Sequence, residues 1–89
     1  MGQVVASIRI LPSDAEVDLE QVKQAVSRVL PAGVNIHRFE EEPIAFGLKA
    51  LIAHVVLPEA EEGKMEAVED AIKQAEGVGE VEVLMVRRF

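Results

Sequence analysis

The sequence predicts an α+β domain in which strand, helix and strand follow one another twice. Four short segments rich in β-branched residues alternate with two segments whose apolar residues recur every three or four positions. Period-two alternation favours strands, and the three-four spacing favours amphipathic helices. The order βαββαβ is that of a ferredoxin-like α/β sandwich, with a four-stranded antiparallel sheet of order 4-1-3-2 and two helices on one face.

The first half of the chain supplies one strand, one helix and a second strand. Residues 4–11 form the first strand, and Pro12 ends it. Asp18, followed three positions later by Gln21, resembles the start of a capped helix. The apolar stripe of that helix is Leu19, Val22, Val26 and Val29. Residues 34–41 follow as a strand of mixed polarity, which predicts a position at the sheet edge.

The second half repeats this pattern after a turn at residues 43–47. Residues 48–57 are apolar on both parities apart from Lys49 and His54, as expected of a central strand. The second helix buries Met65, Val68, Ile72 and Ala75, and Gly77 is expected to cap it. The last strand alternates, with Val81, Val83 and Met85 on one face, and continues almost to the C-terminus.

The direction of the strands determines which functional residues are neighbours. We take strands one and three to run one way and strands two and four the other. On that assignment the hairpin and the C-terminus lie at the same end of the sheet. Phe46 of the hairpin and Arg88 of the C-terminus are therefore expected to share an end.

Length and charge limit the classes of function. The 89 residues form one domain, 1–89, and contain no cysteine, which excludes disulfides and thiolate chemistry. A formal charge of −7 repels phosphate backbones and anionic lipids, so we expect no direct nucleic-acid or membrane partner. No secretory signal or membrane-spanning apolar run is visible, and we expect a cytoplasmic protein.

The histidines and acidic clusters do not predict a metal site. With Ala45 near the turn centre, Ile36 lies across from His54 and His37 across from Ala53, so the two imidazoles are expected to point to opposite faces. Glu40, Glu41 and Glu42 lack the spacing of a calcium loop, as do Glu59, Glu61 and Glu62. We interpret both groups as solvated loop charge and expect neither metal nor cofactor.

No motif for covalent catalysis appears in the chain, and we expect that it is not an enzyme. There is no P-loop, no GxSxG and no nucleophile–base motif. Two functions known on this topology are not supported. An acylphosphatase would need a phosphate-binding arginine loop after strand one, and that segment is acidic instead. An RNA-recognition domain would present aromatics that stack on RNA bases, and strands one and three lack them. The features that remain are the apolar hairpin tip at Ile44 and Phe46 and the basic end of the chain, Arg87-Arg88-Phe89.

Four segments together resemble the archaeal translation elongation factor one beta family, and the likeness covers the whole chain. They read VVASIRILP, EEPIAFGLKAL, VVLPEAEEG and VEVLMVRRF. The C-terminal exchange domain of eukaryotic beta subunits is also similar. The turn PIAFG followed by a lysine, combined with a basic penultimate residue, carries most of the specificity.

The resemblance implies a guanine-nucleotide exchange factor that promotes GDP release and GTP loading on elongation factor one alpha, in its GDP-bound or nucleotide-free form, during protein synthesis. It implies that Arg88 is the residue inserted near the magnesium and phosphate site of that GTPase, where the eukaryotic relatives have lysine. The partner-binding residues that it implies are Pro43, Ile44, Phe46, Gly47, Lys49, Arg87 and Phe89.

A second hypothesis is a small ferredoxin-like regulatory or ligand-sensing domain that dimerises through its sheet. Such a domain is expected to have a glycine-rich loop between strand one and helix one, and residues 12–18 contain no glycine. Because one fold serves many functions, the topology by itself does not choose between the two hypotheses.

Overall fold

The computed structural model describes residues 2–45, 47–59 and 63–88. The order of elements is the predicted βαββαβ. The six elements are β1 (Gln3–Pro12), α1 (Leu19–Val29), β2 (Asn35–Pro43), β3 (Lys49–Pro58), α2 (Lys64–Lys73) and β4 (Val78–Arg88). The strands form one sheet in the order β2-β3-β1-β4, which confirms the predicted order and places β2 at an edge.

The core lies between the sheet and the two helices. Val22 and Val26 of α1 are buried, as are Val68 and Ile72 of α2, so both predicted helical stripes face inward. They pack against alternate residues of the two central strands, which include Ile8, Ile10, Leu51, Ala53 and Val55. Asp18 caps α1, because its side chain accepts a hydrogen bond from the backbone N–H of Glu20. Packing thus fixes both helices on one face and leaves the other face of the sheet open.

The strand directions differ from the predicted ones. β3 is antiparallel to both β1 and β2, so β1 and β2 run the same way, while β4 runs with β3. The reason is that a helical crossover returns the chain to its starting end, so the two strands that it joins are parallel in direction. Only the hairpin between β2 and β3 reverses the direction.

The hairpin and the C-terminus consequently lie at opposite ends of the sheet, and the prediction that they share an end is wrong. Arg88 pairs with Val4, near the start of β1, whereas Leu51 near the hairpin pairs with Ile10. Six residues of strand separate Val4 from Ile10, which at about 3.3 Å per residue is about 20 Å. The hairpin tip lies further out still.

Three register shifts interrupt the ladders, and two of them, at His37 and at Leu84, redirect side chains; the third lies between Leu11 and Pro12. The β2–β3 register shifts between Ile36 and Arg38, so His37 is an extra residue in its strand. The predicted pairs of the histidines are therefore wrong: Arg38 lies opposite His54, and Ile36 lies opposite Val55. A β-bulge of this kind lets a side chain point to the face opposite to the one that strict alternation predicts.

The second irregularity is in β4. Its pairing with β1 shifts between Ser7 and Ile8, and Leu84 is the extra residue between Val83 and Met85. Val83 packs against the core as predicted, but Met85 lies opposite Ser7 on the open face and is 53% exposed. The prediction that Met85 shares a face with Val81 and Val83 is therefore wrong.

Candidate functional site

The hairpin end presents apolar side chains on a well-defined turn. Pro43 pairs with Lys49, and the backbone N–H of Ile44 donates to the carbonyl of Leu48 at 2.9 Å. Gly47 has a φ of 79°, a left-handed conformation that side chains disfavour. The turn therefore requires a glycine at that position. Ile44 is 48% exposed, and Leu48 is also exposed.

An open hollow of about 510 Å³ adjoins this hairpin. Ile44 and Leu48 line it on one side, and Leu11 and Pro12 at the end of β1 line it on another. Most of its surface is apolar, and Lys49, paired with Glu41 at 3.6 Å, stands at its rim. Exposed apolar area next to a concave apolar surface is typical of a protein-binding site. Phe46, the predicted anchor of this tip, lies outside the described residues.

The C-terminal end of β4 presents two arginines from an ordered strand. Arg87 pairs with Val5 and Arg88 with Val4, so both stay in the ladder of the sheet. The Arg88 side chain is 84% exposed, and its guanidinium lies 3.1 Å from a carboxylate oxygen of Glu59. A surface ion pair of this kind contributes little and exchanges easily for another partner. Phe89, also predicted to bind the partner, is not among the described residues.

Next to these arginines the bulge of β4 leaves a run of exposed apolar residues. Leu84, Met85 and Val86 are each between 40% and 53% exposed. Strict alternation predicts that every second side chain of this stretch is buried. The exposure of all three side chains follows from the bulge and could not be predicted without it. The run extends the candidate contact surface from Arg88 back along the edge strand.

Val5, His37, Arg38, His54, Arg87 and Arg88 line an open hollow of about 290 Å³, the basic hollow. It lies on the open face at the C-terminal end of β4. Both histidines line it, so the prediction that they point to opposite faces is wrong. The physical reason is the bulge at His37. Among the described residues, no three histidine, cysteine or acidic side chains are grouped so that they could hold a metal ion.

A chain of hydrogen bonds that the sequence analysis missed crosses three strands beside the basic hollow. The Ser7 hydroxyl and Nδ1 of His54 are 2.8 Å apart, and Nε2 of His54 is 2.7 Å from a carboxylate oxygen of Glu40. Ser7 and His54 are both about nine-tenths buried. With a proton on Nε2, the imidazole donates to Glu40 and accepts from Ser7, which satisfies every partner. No sequence signal indicates this arrangement, because it depends on the shifted register in which Arg38 lies opposite His54.

This hydroxyl–imidazole–carboxylate chain orients its members rather than exposing a nucleophile, because the serine is covered by its neighbours. The hydrogen bond from His54 lowers the pKa of the Glu40 carboxyl below its ordinary value of 4.5, and the charge of Arg38, whose guanidinium is 3.2 Å from Glu40, lowers it further. Glu40 thus stays ionised and holds both Arg38 and His54 at the wall of the basic hollow.

We expect Glu40→Gln to reduce the dependence of stability on acid pH. A carboxyl whose pKa is lower in the folded protein stabilises it above the unfolded value of about 4.5, and this contribution is lost as the pH falls through the folded pKa. Urea unfolding at a series of pH values measures it. Glu76→Gln, at an exposed carboxylate in the turn after α2, is the matched control. Equal pH slopes for Glu40→Gln and the unaltered protein would contradict the role of Glu40.

Comparison with solved structures defines the class of fold. The ACT domain from a GTP pyrophosphokinase of Chlorobium tepidum superposes with a TM-score of 0.62 at 21% identity, covering 92% of this chain and 99% of that one. The C-terminal domain of the MgtC protein from Mycobacterium tuberculosis gives 0.63 at 16% identity, covering 99% and 88%. At these identities the likeness shows a shared ferredoxin-like architecture alone.

Sequence comparison defines the family. The EF-1 guanine nucleotide exchange domain matches residues 5–89, and this chain belongs to that family. Curated proteins called elongation factor 1-beta match over the full chain: at 47% identity in Methanothermobacter thermautotrophicus, and at 43% in Desulfurococcus amylolyticus, each with 99% of the relative covered. The protein of that name in Methanosarcina barkeri is 44% identical and covered completely. The predicted resemblance is therefore confirmed.

Proposed function

We propose that this exchange domain promotes GDP release from elongation factor one alpha and its reloading with GTP during protein synthesis. The family match over residues 5–89 is the observation that carries the proposal. It also favours exchange over the alternative of a ligand-sensing domain. The domain works by binding its partner and breaks no covalent bond.

Arg88 supplies the charge that acts on the nucleotide site. Its guanidinium is exposed, and its single described ion pair, with Glu59, is a surface contact that a stronger anion can replace. A GTPase holds GDP largely through phosphate contacts and Mg²⁺. A cation brought into that region competes with the metal and loosens both ligands. The strand ladder keeps the backbone of Arg88 fixed, so the charge enters in a defined orientation.

The hairpin supplies the anchor for the same partner. The contact residues that we propose for the hairpin are Pro43, Ile44, Phe46, Gly47 and Lys49, and those that we propose for the C-terminus, besides Arg88, are Arg87 and Phe89. Since more than about 20 Å separates the ends, a partner that contacts both presents two binding surfaces at least that far apart. One end then secures the complex while the other acts on the nucleotide.

Thermodynamic linkage couples the binding of nucleotide and the binding of the domain to the GTPase. If the domain weakens GDP binding by some factor, GDP weakens binding of the domain by the same factor. The nucleotide-free GTPase is therefore the form that binds this domain most tightly, and incoming GTP releases it. No cofactor is needed for such a cycle.

The charge of −7 supports a protein partner with a basic surface and argues against nucleic acid or an anionic membrane. Within the parts of the chain that the structure describes, no helix has the length and apolar character needed to cross a bilayer. A cytoplasmic location, where translation takes place, agrees with this proposal.

The direct test is release of a fluorescent GDP analogue from the cognate elongation factor one alpha. The purified domain is expected to accelerate release, and an unrelated GTPase serves as the specificity control. An unchanged release rate at saturating domain would refute the proposal.

We further expect association with the GTPase to slow as salt is added. An acidic domain that meets a basic surface is steered by charges that are screened over about 8 Å at physiological ionic strength. Stopped-flow association rates across a potassium chloride series measure this effect. An association rate independent of salt would exclude electrostatic steering and leave the apolar anchor as the source of affinity.

A further inference from the structure

The basic hollow concentrates positive charge on a strongly acidic chain. Three arginines and two histidines are among the six residues that line it, and none of those six is acidic, while Glu40 pairs with Arg38 and His54 at its wall and Glu59 pairs with Arg88. The chain as a whole has a formal charge of −7. Exchange on a GTPase accounts for Arg87 and Arg88 but gives no role to His37, Arg38 or His54. A concave surface of one charge sign attracts ligands of the opposite sign.

The walls of the basic hollow are positioned before any ligand arrives. His54 is held on both ring nitrogens by Ser7 and Glu40, and Glu40 also holds Arg38. The bulge at His37 brings a further imidazole to the same face. Because His54 is buried and held by two hydrogen bonds, this part of the wall is ordered before a ligand binds, which lowers the free-energy cost of binding.

Arg87 is the group that carries most of the available charge. Among the ion pairs of the described residues Arg38 has Glu40 and Arg88 has Glu59, whereas none involves Arg87. A planar guanidinium with two parallel N–H groups matches the oxygens of a phosphate. An open hollow of about 290 Å³ has room for a tetrahedral oxyanion together with bridging waters.

We propose that the basic hollow binds a tetrahedral oxyanion, either free phosphate or the phosphate group of a monoester, with Arg87 and Arg38 as the principal donors. The site belongs to this chain and needs no GTPase for its assembly. Phosphate binding can therefore be tested, and refuted, independently of nucleotide exchange.

The test is a titration of the isotope-labelled, full-length chain with inorganic phosphate, followed by NMR at constant ionic strength. Saturable shifts are expected at the arginine side chains of the basic hollow and at His37. A parallel titration with O-phosphoserine distinguishes the sources: equal affinity shows that the phosphate group alone is recognised, and tighter binding of phosphoserine identifies a monoester as the ligand. Chloride at matched ionic strength is expected to cause no saturable shift.

Arg87→Gln is expected to weaken phosphate binding about tenfold, since a charge-assisted hydrogen bond is lost. Arg38→Gln provides a second variant with an intact C-terminal strand. Arg28→Gln, at an exposed arginine on α1, which packs on the opposite face of the sheet, is the matched control and is expected to bind as the unaltered chain does. Non-saturating shifts, or equal affinity in all three variants, would overturn the proposal.

Discussion

Arg88→Ala is expected to slow GDP release from elongation factor one alpha at least about tenfold, which corresponds to about 1.4 kcal/mol on the barrier. The effect is expected on exchange because we propose that this guanidinium acts at the nucleotide site of the partner. Folding is expected to be unchanged, since the side chain is 84% exposed and has one surface ion pair among the described residues. Stopped-flow release of a fluorescent GDP analogue at saturating domain measures the change.

Arg88→Lys separates charge from geometry at this position. Activity close to that of the unaltered domain would show that a positive charge is sufficient, whereas loss would show that the planar guanidinium is needed. Arg28→Ala, which removes an exposed arginine from α1, controls for net charge. If the Arg88→Ala domain promotes GDP release at the original rate, the hypothesis that Arg88 inserts into the nucleotide site of the partner is wrong for this chain.

Phe46→Ala is expected to weaken binding of the GTPase at least about thirtyfold, equivalent to about 2 kcal/mol, while the domain folds normally. The reason is that an aromatic at a turn tip adds little to the core but can fill a pocket on a partner. Ile44→Ala, at a neighbouring exposed position, is expected to have a smaller effect of the same kind. Affinity is measured by calorimetry and stability by thermal unfolding. A large fall in melting temperature for Phe46→Ala would identify it as a core residue instead.

The distance between the two ends of the sheet predicts that substitutions at the two ends have additive effects. Substitutions more than about 10 Å apart without shared partners usually have additive effects. The free energies lost in Phe46→Ala and Arg88→Ala are therefore expected to sum in the double variant, when each is measured on the same step. Strong non-additivity would mean that the partner couples the two ends through a change in its own structure.

Hydrophobic periodicity was sufficient to predict the order of the six elements and the strand order. The stripes of α1 and α2 and the apolar character of β3 each follow from the period of one regular element, and packing then confirms them. Strand direction requires a further step, because it depends on how many times the chain reverses. Counting one reversal at the hairpin and none at each crossover would have placed Arg88 and the hairpin at opposite ends.

The candidate site was harder to predict because bulges decide much of it. The extra residue at His37 brings two histidines into one hollow, and the extra residue at Leu84 exposes Met85. Neither position has a glycine or another residue that indicates a bulge. The chain of Ser7, His54 and Glu40 depends on the register of three strands, so residues 47 and 14 positions apart meet only in the folded sheet.

The ladder between β1 and β3 also bears on how the length of this domain can vary. Removing two residues from each strand would keep every side chain on its face, because the side-chain period is two, yet would bring the ends about 7 Å closer. Such a shortened domain is expected to fold but to fail to reach both of the partner surfaces that we propose it contacts. Insertions at 13–17, between β1 and α1, leave that spacing unchanged. Related exchange domains are therefore expected to vary in length at their connections and to conserve the residue count of these paired strands.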